Sequence, residues 1–170
     1  MRNGGFSLLE LVLALSIFAI GSVVAGYMII DANTSTRQNI GKAEALLIAR
    51  DSIEAVMSIR DADFCELYAA SNNNPNGLTN LSGFYWDFIH GIGDTVDGKY
   101  LRQVFVTMDP DFTNTFTSTS TATVKVVVKW VSPRTNNTSD YTDEVSLSTI
   151  LSNWRYGDDG EGNERELPCD

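Results

Sequence analysis

Gly4-Gly5-Phe6-Ser7-Leu8-Leu9-Glu10, with the uncharged run of residues 11–30 behind it, decides how this chain begins and where it can reside. At about 1.5 Å per residue, a helix over that run is about 30 Å long, the hydrocarbon thickness of a bilayer. Its length and its lack of charge predict a membrane helix. Glu10 is the exception, a lone carboxylate at the start of the apolar segment. Ionised near the bilayer centre it would cost roughly 2.5–3.5 kcal/mol, so it calls for a partner.

An ordinary secretory signal fits these residues poorly. Such a signal has a basic start, an apolar core of about 7–15 residues and a small-residue cut site after the core. Val23-Val24-Ala25 has the look of a cut site, but the core is too long, Glu10 interrupts it, and Arg2 is the only basic residue before it. Instead, Gly5-Phe6-Ser7-Leu8-Leu9-Glu10-Leu11 resembles the N-terminal signature of type IV pilins and type II secretion pseudopilins. The resemblance implies that a prepilin peptidase cuts between Gly5 and Phe6 and methylates the new N-terminus at Phe6. It makes Glu10 the family's assembly carboxylate. The physics agrees: an amine freed at Phe6 is a cation at the depth of Glu10, in its own chain or a neighbour's, and pairing cancels both charges.

The 170 residues leave room for one soluble domain of ordinary size after a leader (residues 1–5) and a membrane or filament-core helix (residues 6–30). Residues 31–170 form the expected head, with an amphipathic helix half over 40–63 and a sheet over about 84–155. With Lys+Arg 12 against Asp+Glu 22, the net charge of -10 repels nucleic acid and anionic headgroups. Cys65 and Cys169 are too far apart in sequence for a metal-type pair and suit one disulfide in an exported domain, or else two separate thiols.

No proline occurs before Pro75, so the helix is expected to run on past residue 30 to about 61–64. Leu46, Ala49, Ile53, Val56 and Met57 recur at three- and four-residue steps, which gives the helix an apolar stripe to lay on a sheet. Many pilins carry a proline in the outer part of the membrane helix; this chain has Tyr27 there. Gly21 and Gly26, each about 1 kcal/mol poorer than alanine in a helix, leave the stretch between them the place for local melting.

Residues 71–77 (Ser-Asn-Asn-Asn-Pro-Asn-Gly) read as a loop, and 84–89 as a short aromatic strand. Three stronger strands follow at 100–108, 122–131 and 141–151. In the second, Val124, Val126, Val128 and Trp130 share one side and Lys125 and Lys129 the other; in the third, Val145, Leu147 and Leu151 alternate with polar neighbours. The fold class is therefore α+β: a long N-terminal helix packed on a C-terminal antiparallel sheet, which is also the fold the resemblance implies. Residues 113–123 are expected to be a hairpin tip and 133–140 a loop.

Little points to catalysis. His90 is the only histidine, so a His-based triad or a multi-histidine metal site is excluded. No phosphate-cradling glycine loop or Gly-x-Ser-x-Gly turn occurs, and no cofactor is expected. The acidic, glycine-rich tail contains Asp158, Asp159 and Glu161, whose oxygens make a weak calcium candidate, although the tail does not fit the helix-loop-helix calcium pattern. Ser52-Ile53-Glu54-Ala55-Val56-Met57-Ser58-Ile59-Arg60-Asp61 and Ser146-Leu147-Ser148-Thr149-Ile150-Leu151-Ser152-Asn153-Trp154-Arg155 are similar to minor pilins of the pilus-modification type and to I-type pseudopilins. The resemblance implies a non-enzymatic filament subunit whose partners are other pilin or pseudopilin subunits, the prepilin peptidase and an inner-membrane assembly platform. It would sit in the inner membrane by one helix before assembly, its head extracytoplasmic, and in a surface or periplasmic filament afterwards. The competing class is a membrane-tethered extracytoplasmic binding or enzymatic domain on an uncut anchor.

Overall fold

A 55-residue helix, α1 (Leu8–Ala62), opens the structure and carries the whole apolar run without interruption at Gly21 or Gly26. The computed structural model describes residues 7–71, 74–81, 83, 85–109, 115–116, 120–132, 141–153 and 167–168. The chain divides into two units, Met1–Ile40 and Gly41–Asp170.

In the first unit every described residue is helical from Leu8 on and almost all are exposed: Leu8 is 82% and Phe18 73% accessible. Several of its hydroxyls turn back into the helix. Ser16 donates to the Val12 carbonyl at 2.8 Å, Ser22 to Phe18 at 2.9 Å and Thr34 to Ile30 at 2.9 Å. With their donors satisfied inside the helix, these side chains can meet an apolar environment at little cost. An 18-residue window of mean hydropathy 2.4, none of it buried, makes this helix long and apolar enough to cross a membrane.

The second unit is built on the rest of α1. Its buried positions are Gly41, Ala45, Ala49, Ser52, Ala55, Val56 and Ile59, while Leu46, Ile53 and Met57 are half-buried. The expected stripe is thus turned toward smaller residues. Small side chains let the helix backbone approach the sheet, and the sheet supplies the bulk through Tyr100, Trp130 and its valines. The helix ends where Asp63 takes over: its carboxylate accepts from the Cys65 N–H at 2.8 Å and starts the short helix α2 (Cys65–Ala69).

The strands are β1 (Gly77–Leu81), β2 (Tyr85–Ile89), β3 (Asp94–Val96), β4 (Tyr100–Met108), β5 (Thr115–Phe116), β6 (Thr121–Trp130), β7 (Asp143–Ser152) and β8 (Leu167–Pro168). Four of them make an antiparallel sheet in the order β3-β4-β6-β7. Register sets Tyr100 opposite Trp130, and Val104 opposite Val126, which in turn faces Leu147. One face of alternate residues, Tyr100, Val104, Val106, Val124, Val126, Val128 and Trp130, closes the core with α1.

The three strong strands therefore form as expected, within two residues at each end. The aromatic segment is a strand too, but it pairs with β1 in a separate two-stranded sheet and does not extend the main one. Asn80 and Leu81 lie in β1. Hairpin pairing satisfies a backbone whose side chains carry no strand pattern. Asn76, expected in the loop of residues 71–77, is fully buried and exchanges backbone hydrogen bonds of 2.8 Å with Val104 in both directions. The expected hairpin tip over 113–123 is also shorter, since Thr121 already belongs to β6 and Thr115–Phe116 pairs with Leu167–Pro168.

At Gly41 a β-carbon would stand 3.2 Å from Trp130 Nε1. A leucine there gains helix propensity worth about 1 kcal/mol but must displace a buried indole. Gly41→Leu is expected to lower stability by about 2 kcal/mol in urea unfolding followed by tryptophan fluorescence.

Candidate processing and assembly site

The Ser7 carbonyl accepts hydrogen bonds from the Glu10 N–H at 2.9 Å and the Leu11 N–H at 3.2 Å, which makes Ser7 the residue where the helix begins. Glu10 consequently lies in the first turn of α1. There the unpaired backbone N–H groups and the positive end of the helix macrodipole favour a carboxylate. Glu10 is exposed and heads a shallow groove along the helix otherwise lined by Leu11, Ala14, Leu15 and Phe18. The arrangement is a single anion at the end of an apolar rod, whose partner must come from the chain start or from another molecule.

Gly5 and Phe6, the processing residues, lie outside the described residues, as do Cys169 and the calcium candidate Asp158, Asp159 and Glu161. Cys65 lies at the start of α2 and is disulfide-bonded.

The second unit holds polar groups that the sequence reading did not single out. Arg102 is the charged residue in the inward phase of β4, where its parity with Tyr100, Val104 and Val106 could have flagged it. Its guanidinium makes a fork on Asp94, Nε at 2.9 Å and Nη2 at 2.6 Å, donates to the Leu78 carbonyl at 2.9 Å, and reaches Ser52 on α1 at 3.4 Å. It thereby ties the helix, the β1–β2 hairpin and the main sheet together. Asn76 does similar work: its side-chain amide donates to the Ala70 carbonyl at 2.9 Å and its carbonyl accepts from the Gly91 N–H at 3.2 Å.

A third group pins α1 to β4. Lys99 Nζ lies 2.7 Å from Glu44 Oε2, and the Tyr100 hydroxyl donates to the same oxygen. The hydrogen bond from Lys99, then that from Tyr100, hold the Glu44 carboxyl below its ordinary value of 4.5; the hydrogen bond to Glu44 raises Lys99, and burial raises the Tyr100 phenol. A depressed carboxylate contributes stability above its unfolded value and loses it as pH falls through the folded one. Stability should therefore drop below about pH 4.5 with a shallower slope in Glu44→Gln, and the difference should shrink in high salt because the pair is exposed.

A long N-terminal helix packed on antiparallel sheets is the α+β arrangement of pilin-like proteins. Residues 1–26 match the family model described as the prokaryotic N-terminal methylation motif, which supports the type IV pilin-like class and points to a structural subunit, not to an enzyme. No curated protein and no solved structure matches the chain.

Proposed function

We propose that this chain is a pilin or pseudopilin, of the minor kind, that builds a type IV pilus or a type II secretion-like filament. The observation that carries the reading is the methylation motif over residues 1–26 on a helix whose apolar surface is exposed. Prepilin peptidase cuts between Gly5 and Phe6 and methylates Phe6. The helix then holds the protein in the inner membrane with the head extracytoplasmic, until an assembly platform moves it from lipid into a bundle of like helices. Glu10 and the Phe6 amine of a neighbour set the axial step, because each charge is stable in that bundle only with the other. Minor rank is supported by the similarity of residues 52–61 and 146–155 to pilus-modification minor pilins and I-type pseudopilins. The mechanism uses no cofactor.

Immunoblotting of filaments sheared from the cell surface, or of periplasmic filaments, tests the reading. The protein should be present at a small fraction of the major subunit; absence from both, with normal amounts in the membrane, contradicts it. We also propose that Cys65 pairs with Cys169, joining the end of α1 to the C-terminus. A non-reducing peptide map of the full chain should recover the two peptides as one linked species; recovery of Cys169 as a free thiol overturns the pairing.

A further inference from the structure

A cleft of about 540 Å³, a volume in the range of small-ligand sites, opens between α1 and the strands β2, β3 and β4. All of its lining residues belong to the second unit, and none takes part in processing or in the Glu10 site. On the helix side Asp51 and Glu54, both exposed, stand one turn apart. Asp51 has no ion-pair partner among the described residues, and Glu54 is answered only by Arg50 at 3.1 Å across an exposed helix turn, a weak interaction. Trp86 of β2, with Ile48 and Val96, makes the wall apolar.

On the sheet side is Arg102, whose side chain is 9% accessible. Asp94 answers its charge, but not all of its donors are used. Nε and both N–H groups of Nη2 go to Asp94 and to the Leu78 carbonyl, whereas Nη1 has one contact, to Ser52 Oγ at 3.4 Å. A guanidinium carries five N–H donors, so one N–H of Nη1 has no acceptor among the described residues. A buried donor without an acceptor is costly, and an arriving carbonyl relieves it. The cleft therefore suits a ligand with a cation at one end, an acceptor at the other and an apolar stem between them. A hard metal ion does not fit, because it needs about six oxygens and the wall between the carboxylates and the guanidinium is indole and aliphatic.

We propose that the cleft binds a lysine or arginine residue of another protein, its cationic head between Asp51 and Glu54, its alkyl stem along Trp86, and its backbone carbonyl on the spare N–H of Arg102. The aromatic wall adds attraction for an organic cation. A polypeptide supplies all three groups in one residue, whereas a free diamine lacks the acceptor. With Asp+Glu 22 against Lys+Arg 12, the whole chain draws basic partners, and the cleft selects among them by geometry.

The test titrates the full chain in detergent micelles with Nα-acetyl-lysine methylamide and follows the indole N–H NMR signal of Trp86, assigned by its loss in Trp86→Phe. The signal should shift saturably with a Kd on the order of 1 mM, while that of Trp130, buried in the core, stays in place. The norleucine analogue keeps the stem and the carbonyl but lacks the ammonium, and it should bind about tenfold more weakly. Asp51→Asn combined with Glu54→Gln should weaken the lysine probe by a similar factor; both positions are exposed, so urea unfolding of this variant should match the wild type. Cadaverine, with stem and cation but no carbonyl, should also bind about tenfold more weakly than the lysine probe. Equal binding of the norleucine analogue, or undiminished binding of the lysine probe by the double variant, overturns recognition of the cation. Equal binding of cadaverine overturns the polypeptide ligand in favour of a small amine. No shift with the lysine probe at about 20 mM overturns the site.

Discussion

Arg102→Met should destabilise the second unit by about 3–5 kcal/mol. The guanidinium is buried, with a side chain 9% accessible, and its partner Asp94 is only 18% accessible. Removing the cation leaves Asp94 partly buried without its two charge-assisted hydrogen bonds and leaves the Leu78 carbonyl without its Arg102 donor. Methionine fills the space of the alkyl stem, so the loss reports the charge network and not a cavity. Unfolding of the detergent-solubilised chain in urea, followed by tryptophan fluorescence, reads the difference. A second substitution, Asp94→Leu, should recover part of it, since an apolar pair is often no worse than a buried ion pair. A loss under 1 kcal/mol would show that the hairpin is held on the sheet by something else.

Glu10→Leu should act on assembly and leave folding alone. The residue lies in the first unit, in the exposed apolar helix, and is not among the residues of the core, whose buried α1 members run from Ala45 to Ile59. Exchanging an intramembrane carboxylate for leucine favours insertion by roughly 3 kcal/mol on translocon-type scales, so the chain should still be cut, inserted and folded. In a filament, however, the Phe6 amine facing that position would be buried without a counter-charge, at a cost of several kcal/mol. The expected result is normal monomer in the membrane and little or none in sheared filaments. Wild-type recovery in filaments would contradict the charge-pair mechanism for an internal subunit. Tolerance of the change with intact Phe6 processing would place the chain at a filament tip, where no earlier subunit's charge must be matched.

How much of this was legible before the structure depends on the kind of signal. The apolar run and the strands β4, β6 and β7 were legible because each shows its period over nine or more residues. The buried face of α1 was only half legible. Hydrophobicity points to Leu46, Ile53 and Met57, whereas close approach to a sheet selects Gly41, Ala45 and Ser52, which are small and carry little apolar signal. β1, and with it the pairing that β2 makes, escaped notice because Gly77-Leu78-Thr79-Asn80-Leu81 is too short and polar to read as a strand. Its place is fixed from outside, by Arg102 on the Leu78 carbonyl and by the buried Asn76 amide. At the candidate site, Glu10 was evident as an anomaly in an uncharged segment. That it falls in the first helical turn, with its charge favoured by backbone dipoles, required the start of α1 at Leu8.

The central claim is that the chain is a processed assembly subunit, and the mature N-terminus tests it most directly. Mass spectrometry of the N-terminal peptide of the membrane-bound protein should find a chain that begins at Phe6 and carries one added methyl group. A protein that begins at Met1, unmodified, would contradict the account and leave the helix as a plain anchor.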